Sequence, residues 1–309
     1  MGEVQVSAEE LVEQAGAVRS SLRGTRRPIA VLAHNGITPL LARQLANSLQ
    51  LPLLPINPLL APPEIAHIVG DSECEDLIVD AALAEPAQRA LRLLLTQAPQ
   101  LHVSSAAPLH EGDCLHFQGS KRGSFSEDDI GATLIYTSGT TGKPKGCVRT
   151  AGQEFARASE LIKTYKLDRR DTQLVACPLA HSAPGIFVRA AHAVGARSTI
   201  LKRFRAESFW DRCQEVDASF FFLVPTQYRR LLDSCAKSPV PDSLRCAIVA
   251  GAPLHRKMHH QLIQWLGSNR LWQFYGSSET GTIAIAPPSE TPSASVGSLA
   301  PGVELQIRN

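Results

Sequence analysis

No apolar stretch in this 309-residue sequence approaches the roughly 20 residues that a helix needs to cross a bilayer, and the acidic, polar N-terminus lacks the basic-then-apolar order of a secretory signal. These absences predict a soluble protein with no membrane partner. Charge of one sign is also scarce: 31 Lys and Arg stand against 29 Asp and Glu, a formal net charge of +2. The basic residues are scattered, so there is no electrostatic footprint for nucleic acid or an acidic lipid surface. The seven cysteines (74, 114, 147, 177, 213, 235 and 246) form no C-x-x-C pair and include an odd one. That pattern argues against a zinc ribbon and a disulfide framework, and points to a reducing cytoplasm.

What is present is a regular alternation of strand and helix signals, in a chain long enough for about two domains. Ser7 and Glu10 have capping-box spacing, which starts a helix over about 8–22. Apolar runs at 28–33, 51–56, 76–80 and 101–103 read as strands, separated by helical segments at 39–49, from Pro62 onward and at 85–95. The polar, Gly/Ser-rich stretch His110–Asp129 reads as a linker, with Cys114–Phe117 as an edge strand. Alternation resumes from Gly152 to Tyr275, with strands expected at 173–176, 197–201, 219–223, 244–250 and 270–275. Parallel strands need crossover helices, so the expected fold is α/β: two similar doubly wound, mostly parallel sheet lobes with helices on both faces, layered αβαβα. The lobes are expected at 24–170 and 171–286, with 287–309 opening a further β segment.

The stretch that stands out is Ala132–Thr150, ATLIYTSGTTGKPKGCVRT. The apolar run Leu134-Ile135-Tyr136 reads as a buried strand, and the next residues are hydroxyls and glycines. Small side chains let backbone N–H groups converge on an anion; Thr137, Ser138, Thr140 and Thr141 add hydroxyl donors, and Lys143 and Lys145 add charge. Phosphate is the natural guest. A Walker A loop would require a hydroxyl residue after its lysine, but Pro144 follows Gly142-Lys143.

Position for position, Thr137–Gly146 resembles the AMP-binding signature of the adenylate-forming superfamily, which includes acyl- and aryl-CoA synthetases. Further stretches resemble that family's other motifs: Ala250–Leu254 its adenine-facing turn, Phe274–Thr280 its aromatic-Gly-x-Thr-Glu segment, and Cys177–Gly185 the "P-L-x-H" stretch beside the acyl pocket. Val296–Gly302 resembles the turn after the adenine site, and Pro225-Thr226 a structural helix entry. The resemblance implies that ATP is held by Thr137, Ser138, Gly139, Thr140, Thr141, Gly142, Lys143 and Lys145, together with Gly251, Ala252, Pro253, Tyr275, Gly276, Ser278 and Glu279. It implies Mg²⁺ at Glu279 and Thr141, an acid site with His181, Ser182, Gly185, Gly276, Ser277 and Thr280, and a catalytic set of Thr141, Lys145, Glu279 and His181. Two departures are visible: Ser278 where threonine is usual, and Ala151 where histidine is usual. The sequence ends at Gln306-Ile-Arg-Asn309, before the positions of the family's later ribose-binding Asp and C-terminal lid, so the resemblance implies the N-terminal large domain without its lid.

The implied reaction is activation of a small carboxylic acid by MgATP to an acyl-adenylate, then transfer to CoA or a carrier-protein thiol, weakly in this chain alone. Two rivals stand beside it. One is a non-catalytic nucleotide- or acyl-binding module working with a separate lid protein; the other is a phosphate-loop NTPase. The identity of the acid and the oligomeric state are not written in the sequence.

Overall fold

The computed structural model describes residues 3–307 apart from 23–25, 95–97, 105, 107–108, 110–112, 119–124, 138–142 and 289–294. The chain forms two compact units, one of residues 1–170 and 178–203 and the other of 171–177 and 204–309. The segment 178–203 therefore returns to the first unit after the chain has entered the second.

In the first unit, six strands lie in the order Gln100–Val103, Asp76–Val79, Ile29–Leu32, Leu53–Ile56, Thr133–Thr137 and Lys145–Arg149. The first five are parallel to their neighbours and the last is antiparallel. Ile29–Leu32 and Asp76–Val79 are buried at every position, because crossover helices cover both faces of a parallel sheet and leave no solvent side to select polar residues. Helix Ala8–Arg19 starts at the expected capping box: Glu10 N–H donates to Ser7 Oγ at 3.1 Å, and Ser7 N–H to Glu10 Oε2 at 2.7 Å. Helix Pro62–Ser72 begins with proline in its first turn, where the missing N–H has no partner to lose.

The expected edge strand near Cys114 is a correction. Cys114–Gln118 is a central strand, parallel to Glu3–Ser7 on one side and antiparallel to Arg197–Leu201 on the other. Its neighbours are distant in sequence, so local composition gave it no partner, and the Glu3–Ser7 strand was absent from the sequence reading for the same reason.

The second unit repeats the scheme. Thr172–Val175, Phe220–Leu223, Cys246–Val249 and Leu271–Ser277 are parallel, and Gly281–Ala286 and Ser298–Leu299 add antiparallel strands at one edge. Phe220, Phe221 and Tyr228 are fully buried, and Tyr228 Oη donates to the carbonyl of Ile248 at 3.0 Å, which satisfies the one polar atom that a buried tyrosine brings inside. Asp171 accepts from Arg245 through both carboxylate oxygens, at 3.0 and 2.6 Å, and from Ser219 Oγ at 2.7 Å. The mixed α/β class and the parallel-dominated sheets agree with the sequence expectation. Among the described residues no helix is long and apolar enough to cross a membrane.

One partly buried histidine is expected to make the first unit sensitive to acid. His192, in helix Ser182–Ala193, packs edge-on against Phe117 with ring centroids 4.5 Å apart, and burial pulls its pKa from 6.5 down to about 4 despite the opposing influence of Asp129 and Glu9. The unfolded chain thus binds the proton first, so stability is lost as pH falls from about 6.5 towards 4. At 1.36 kcal/mol for each unit of difference, the full loss is about 3 kcal/mol. Urea midpoints at pH 7 and pH 4.5 should differ less in His192→Phe than in the parent protein; an unchanged pH dependence would assign acid lability to other groups.

Candidate functional site

Strand Thr133–Thr137 delivers the expected phosphate loop, and its antiparallel partner Lys145–Arg149 receives the chain again, with Thr137 directly opposite Lys145. Ser138, Gly139, Thr140, Thr141 and Gly142 lie outside the described residues. Both flanks of the loop are tied to helix Pro62–Ser72. Tyr136 Oη donates to Asp71 Oδ2 at 2.5 Å, and His67 Nε2 donates to the carbonyl of Pro144 at 3.1 Å. A Cβ at Gly146 would lie 3.1 Å from the Leu134 side chain and 3.2 Å from the Tyr136 ring, so glycine there lets the ring lie across the hairpin. Lys143 and Lys145 are exposed and so are accessible to an anion.

The Pro178–Gly185 stretch is pinned by Asn35, whose Oδ1 accepts from Leu179 N–H at 2.9 Å and whose Nδ2 donates to the carbonyl of Leu201 at 3.1 Å. His181 occupies the N-cap position of helix Ser182–Ala193. It keeps one side open to solvent, while packing around the rest of its ring lowers its pKa. His181, Ser182 and Gly185 all line one partly open pocket of about 50 Å³ in the first unit, with apolar walls from Leu40, Ile135 and Val188. Three of the residues expected at the acid site thus share one concavity.

The sequence reading missed the charges there. Glu154, 1% exposed, lies among three guanidiniums: Arg189 Nη2 at 2.6 Å, Arg157 Nη1 at 3.3 Å and Arg149 Nε at 3.7 Å. Arg43 lies nearby and donates to the carbonyl of Ala132 at 2.7 Å and to Thr133 Oγ1 at 2.8 Å, while Arg189 reaches the same hydroxyl at 3.1 Å. Burial and the neighbouring guanidinium lower the pKa of Arg43; burial, then Arg149, lowers that of Arg189, with Glu154 opposing in both. The only local hint in the sequence was a charge inside an apolar helix, Phe187-Val188-Arg189-Ala190.

In the second unit, Gly251 adopts φ +87° at an exposed turn, a left-handed conformation that would strain any other residue. Ala252 and Pro253 beside it are exposed. Strands Leu271–Ser277 and Gly281–Ala286 form a hairpin with a bulge between Tyr275 and Gly276. Tyr275 is 54% exposed, so its ring is accessible to a ligand. The turn of Ser278, Glu279 and Thr280 is stiffened from within: Ser277 Oγ accepts from the N–H groups of Glu279 and Thr280, each at 3.2 Å, and Thr280 Oγ1 accepts from Ser277 N–H at 3.1 Å. Glu279 is thus held at a hairpin turn. Cys177, which opens the Cys177–Gly185 stretch, is buried; its thiol donates to Gln227 Oε1 at 2.9 Å and burial pushes its pKa up to about 12, which makes it a poor nucleophile.

The family described as "AMP-binding enzyme" matches residues 2–309. A CoA ligase of Gibberella moniliformis is 26% identical over 351 aligned residues, covering 99% of this chain and 57% of that protein. The mitochondrial malonate–CoA ligase ACSF3 of Mus musculus is 29% identical over 199 residues, 58% of this chain and 33% of that one. The chain spans about half, or less, of the length of these relatives. Among solved structures, the amide bond synthetase McbA of Marinactinospora thermotolerans superposes with a TM-score of 0.80 at 20% identity, covering 99% of this chain and 64% of the other; that likeness shows a shared fold.

Proposed function

The chain belongs to the AMP-binding enzyme family, and on that premise we propose that it activates a carboxylic acid with ATP and passes the acyl group to a thiol, CoA or a carrier protein. One oxygen of the carboxylate attacks the α-phosphorus in line, the bond to the bridging oxygen of the β-phosphate breaks, and pyrophosphate leaves with that electron pair. The thiol then displaces AMP. No protein nucleophile is required, so the chain's contribution is positioning and charge stabilisation.

The observation that carries this reading is the strand pair with Thr137 facing Lys145, which fixes both ends of a Ser/Thr/Gly-rich loop matching the family signature. We assign Thr137 and loop residues Ser138–Gly142 to the phosphates, Lys143 and Lys145 to their charge, and Gly251, Ala252, Pro253, Tyr275, Gly276 and Ser278 to the nucleotide. Tyr275 offers an open ring face for adenine. Glu279 is exposed at its turn, and its hard carboxylate oxygen suits Mg²⁺, which usually takes one or two carboxylates together with phosphate oxygens and water. The family resemblance assigns Thr141 to the same ion. His181, Ser182, Gly185, Gly276, Ser277 and Thr280 are assigned to the acid.

The test is differential scanning fluorimetry with MgATP, followed by pyrophosphate release in the presence of carboxylic acids. Stabilisation by MgATP, with AMP and pyrophosphate as products, supports the proposal. Stabilisation without turnover of any acid, including after addition of a separate lid domain, would leave a binding module; ADP as product would mark an NTPase. Absence of any nucleotide effect would refute the nucleotide site itself.

A further inference from the structure

Glu3, Cys114, His116 and Thr199 share one sheet face in the first unit. Cys114 and His116 are two residues apart on strand Cys114–Gln118, so their side chains leave on the same side. Glu3 is in register with Cys114 across the parallel neighbour, and Thr199 with His116 across the antiparallel one. The result is a tight group. Cys114 Sγ lies 3.3 Å from His116 Nε2, Glu3 Oε1 lies 3.8 Å from the same nitrogen, and one ligand atom from each of the three residues falls within 4.8 Å of the others. None of these residues belongs to the sets assigned to the nucleotide, Mg²⁺ or the acid.

Direct bonding within the group is over-subscribed. A neutral imidazole Nε2 carries either a proton, which it can give to the Glu3 carboxylate, or a lone pair, which can accept the Cys114 thiol proton; it cannot do both. A cation between the three serves all of them at once. Zn²⁺ takes thiolate, imidazole and carboxylate at about 2.0–2.3 Å in a tetrahedral array, which sets ligand-to-ligand edges of about 3.4–3.6 Å. The observed 3.3 and 3.8 Å straddle those edges. A tetrahedral ion stands less than about 1 Å out of the plane of three of its ligands, so the triangle is itself the site. The other ring nitrogen is also placed: His116 Nδ1 lies 3.0 Å from Thr199 Oγ1. Metal binding selects the tautomer in which Nδ1–H donates to that hydroxyl and Nε2 presents its lone pair, an outer contact of the kind that orients metal-bound histidines. Cys114 is closed to solvent, whereas the Glu3 side chain is 50% exposed, so an ion enters from the Glu3 side.

We propose that Glu3, Cys114 and His116 form a Zn²⁺ site, with water as the fourth ligand, that staples the outermost strand Glu3–Ser7 to Cys114–Gln118. On binding, the Cys114 thiol proton is released to solvent and the sulfur binds as thiolate. The site does not rest on the ligase reading.

The test is a titration of the intact chain with Co²⁺, a spectroscopic stand-in for Zn²⁺, after treatment with a chelator and its removal. Expected are one equivalent bound, a thiolate-to-cobalt charge-transfer band, and loss of that band on adding Zn²⁺ but not excess Mg²⁺, because a soft thiolate discriminates against a hard ion. Cys114→Ser should abolish the band and Cys147→Ser should keep it. Glu3→Gln and His116→Gln should each weaken Zn²⁺ binding about ten-fold or more. Saturating Zn²⁺ should raise the melting point of the parent protein by about 5 °C or more, and that of Glu3→Gln by less. Glu3 is exposed, so poor folding of Cys114→Ser or His116→Gln leaves Glu3→Gln and the parent titration to decide. Absence of the charge-transfer band in the parent protein overturns the site. So does a band that survives Cys114→Ser, or a Zn²⁺ affinity that Glu3→Gln leaves unchanged.

Discussion

Replacing Glu154 with leucine is expected to lower the midpoint of thermal unfolding by about 10 °C, the largest loss from any single side chain in the first unit. Glu154 is 1% exposed and is the shared partner of Arg149, Arg157 and Arg189. Removing one member of a buried ion pair typically costs about 3–5 kcal/mol, because the desolvated partner charge stays behind. Here three guanidiniums remain, so the upper end applies, and at about 2–4 °C per kcal/mol for a unit of this size the shift reaches that figure. Glu154→Gln keeps an acceptor and loses the charge, so its loss should be smaller. The double variant Glu154→Leu with Arg189→Met should be more stable than Glu154→Leu alone, since it removes one stranded cation together with the anion. A Glu154→Leu melt within a degree or two of the parent would mean that the guanidiniums are neutralised by something other than this carboxylate.

That cluster also marks where sequence reading stops. Fully buried parallel strands announce themselves as short continuous apolar runs, so Phe220–Leu223 and Cys246–Val249 are legible within a residue or two at each end, and the apolar strand Arg197–Leu201 is legible to the residue. Capping chemistry fixed helix starts at Ser7 and Pro62 for the same local reason. Glu3–Ser7 and Cys114–Gln118 owe their place to each other across more than a hundred residues, and no local window contains that information. The strand Lys145–Arg149 was hidden for a different reason: its residues were read as part of a phosphate loop, and a loop motif says nothing of the pairing beyond it. Arg43, Arg149, Arg157 and Arg189 come from separate elements. Each alone reads as a solvated surface charge, and only the fold shows that they meet around Glu154. At the candidate site, the motif residues at Tyr275–Thr280 were legible because the chemistry is packed into one turn. The hydroxyl bonding of Ser277 and Thr280 within that turn was not, since it depends on the hairpin register.

Gly276→Ala is expected to abolish stabilisation by MgATP while leaving most of the second unit folded. The bulge at Tyr275 and Gly276 brings the facing strand so close that an added Cβ would sit 2.0 Å from the carbonyl oxygen of Gly281, 2.9 Å from its carbon and 3.1 Å from Thr282 Cα. All three are backbone atoms, so no side chain can swing aside. The hairpin must open or shift, at a cost of about 1–3 kcal/mol as judged from overpacked interiors. The three parallel strands before the hairpin do not depend on this contact, and the apolar core around Phe221 and Tyr228 should keep the unit folded. What moves is the turn, carrying Tyr275 and Glu279, and a misplacement of about 1 Å in a positioned group is enough to cost on the order of a hundred-fold in a reaction that relies on orientation. Circular dichroism should therefore show a nearly native spectrum with a melting point lowered by several degrees, and MgATP should no longer raise it. The control is Gly16→Ala, in helix Ala8–Arg19, where the backbone is helical and nothing lies within 4 Å of the new Cβ, which should retain the nucleotide response. A Gly276→Ala protein that still responds to MgATP like the parent would show that nucleotide binding does not depend on this hairpin, and would remove Tyr275 and Glu279 from the site.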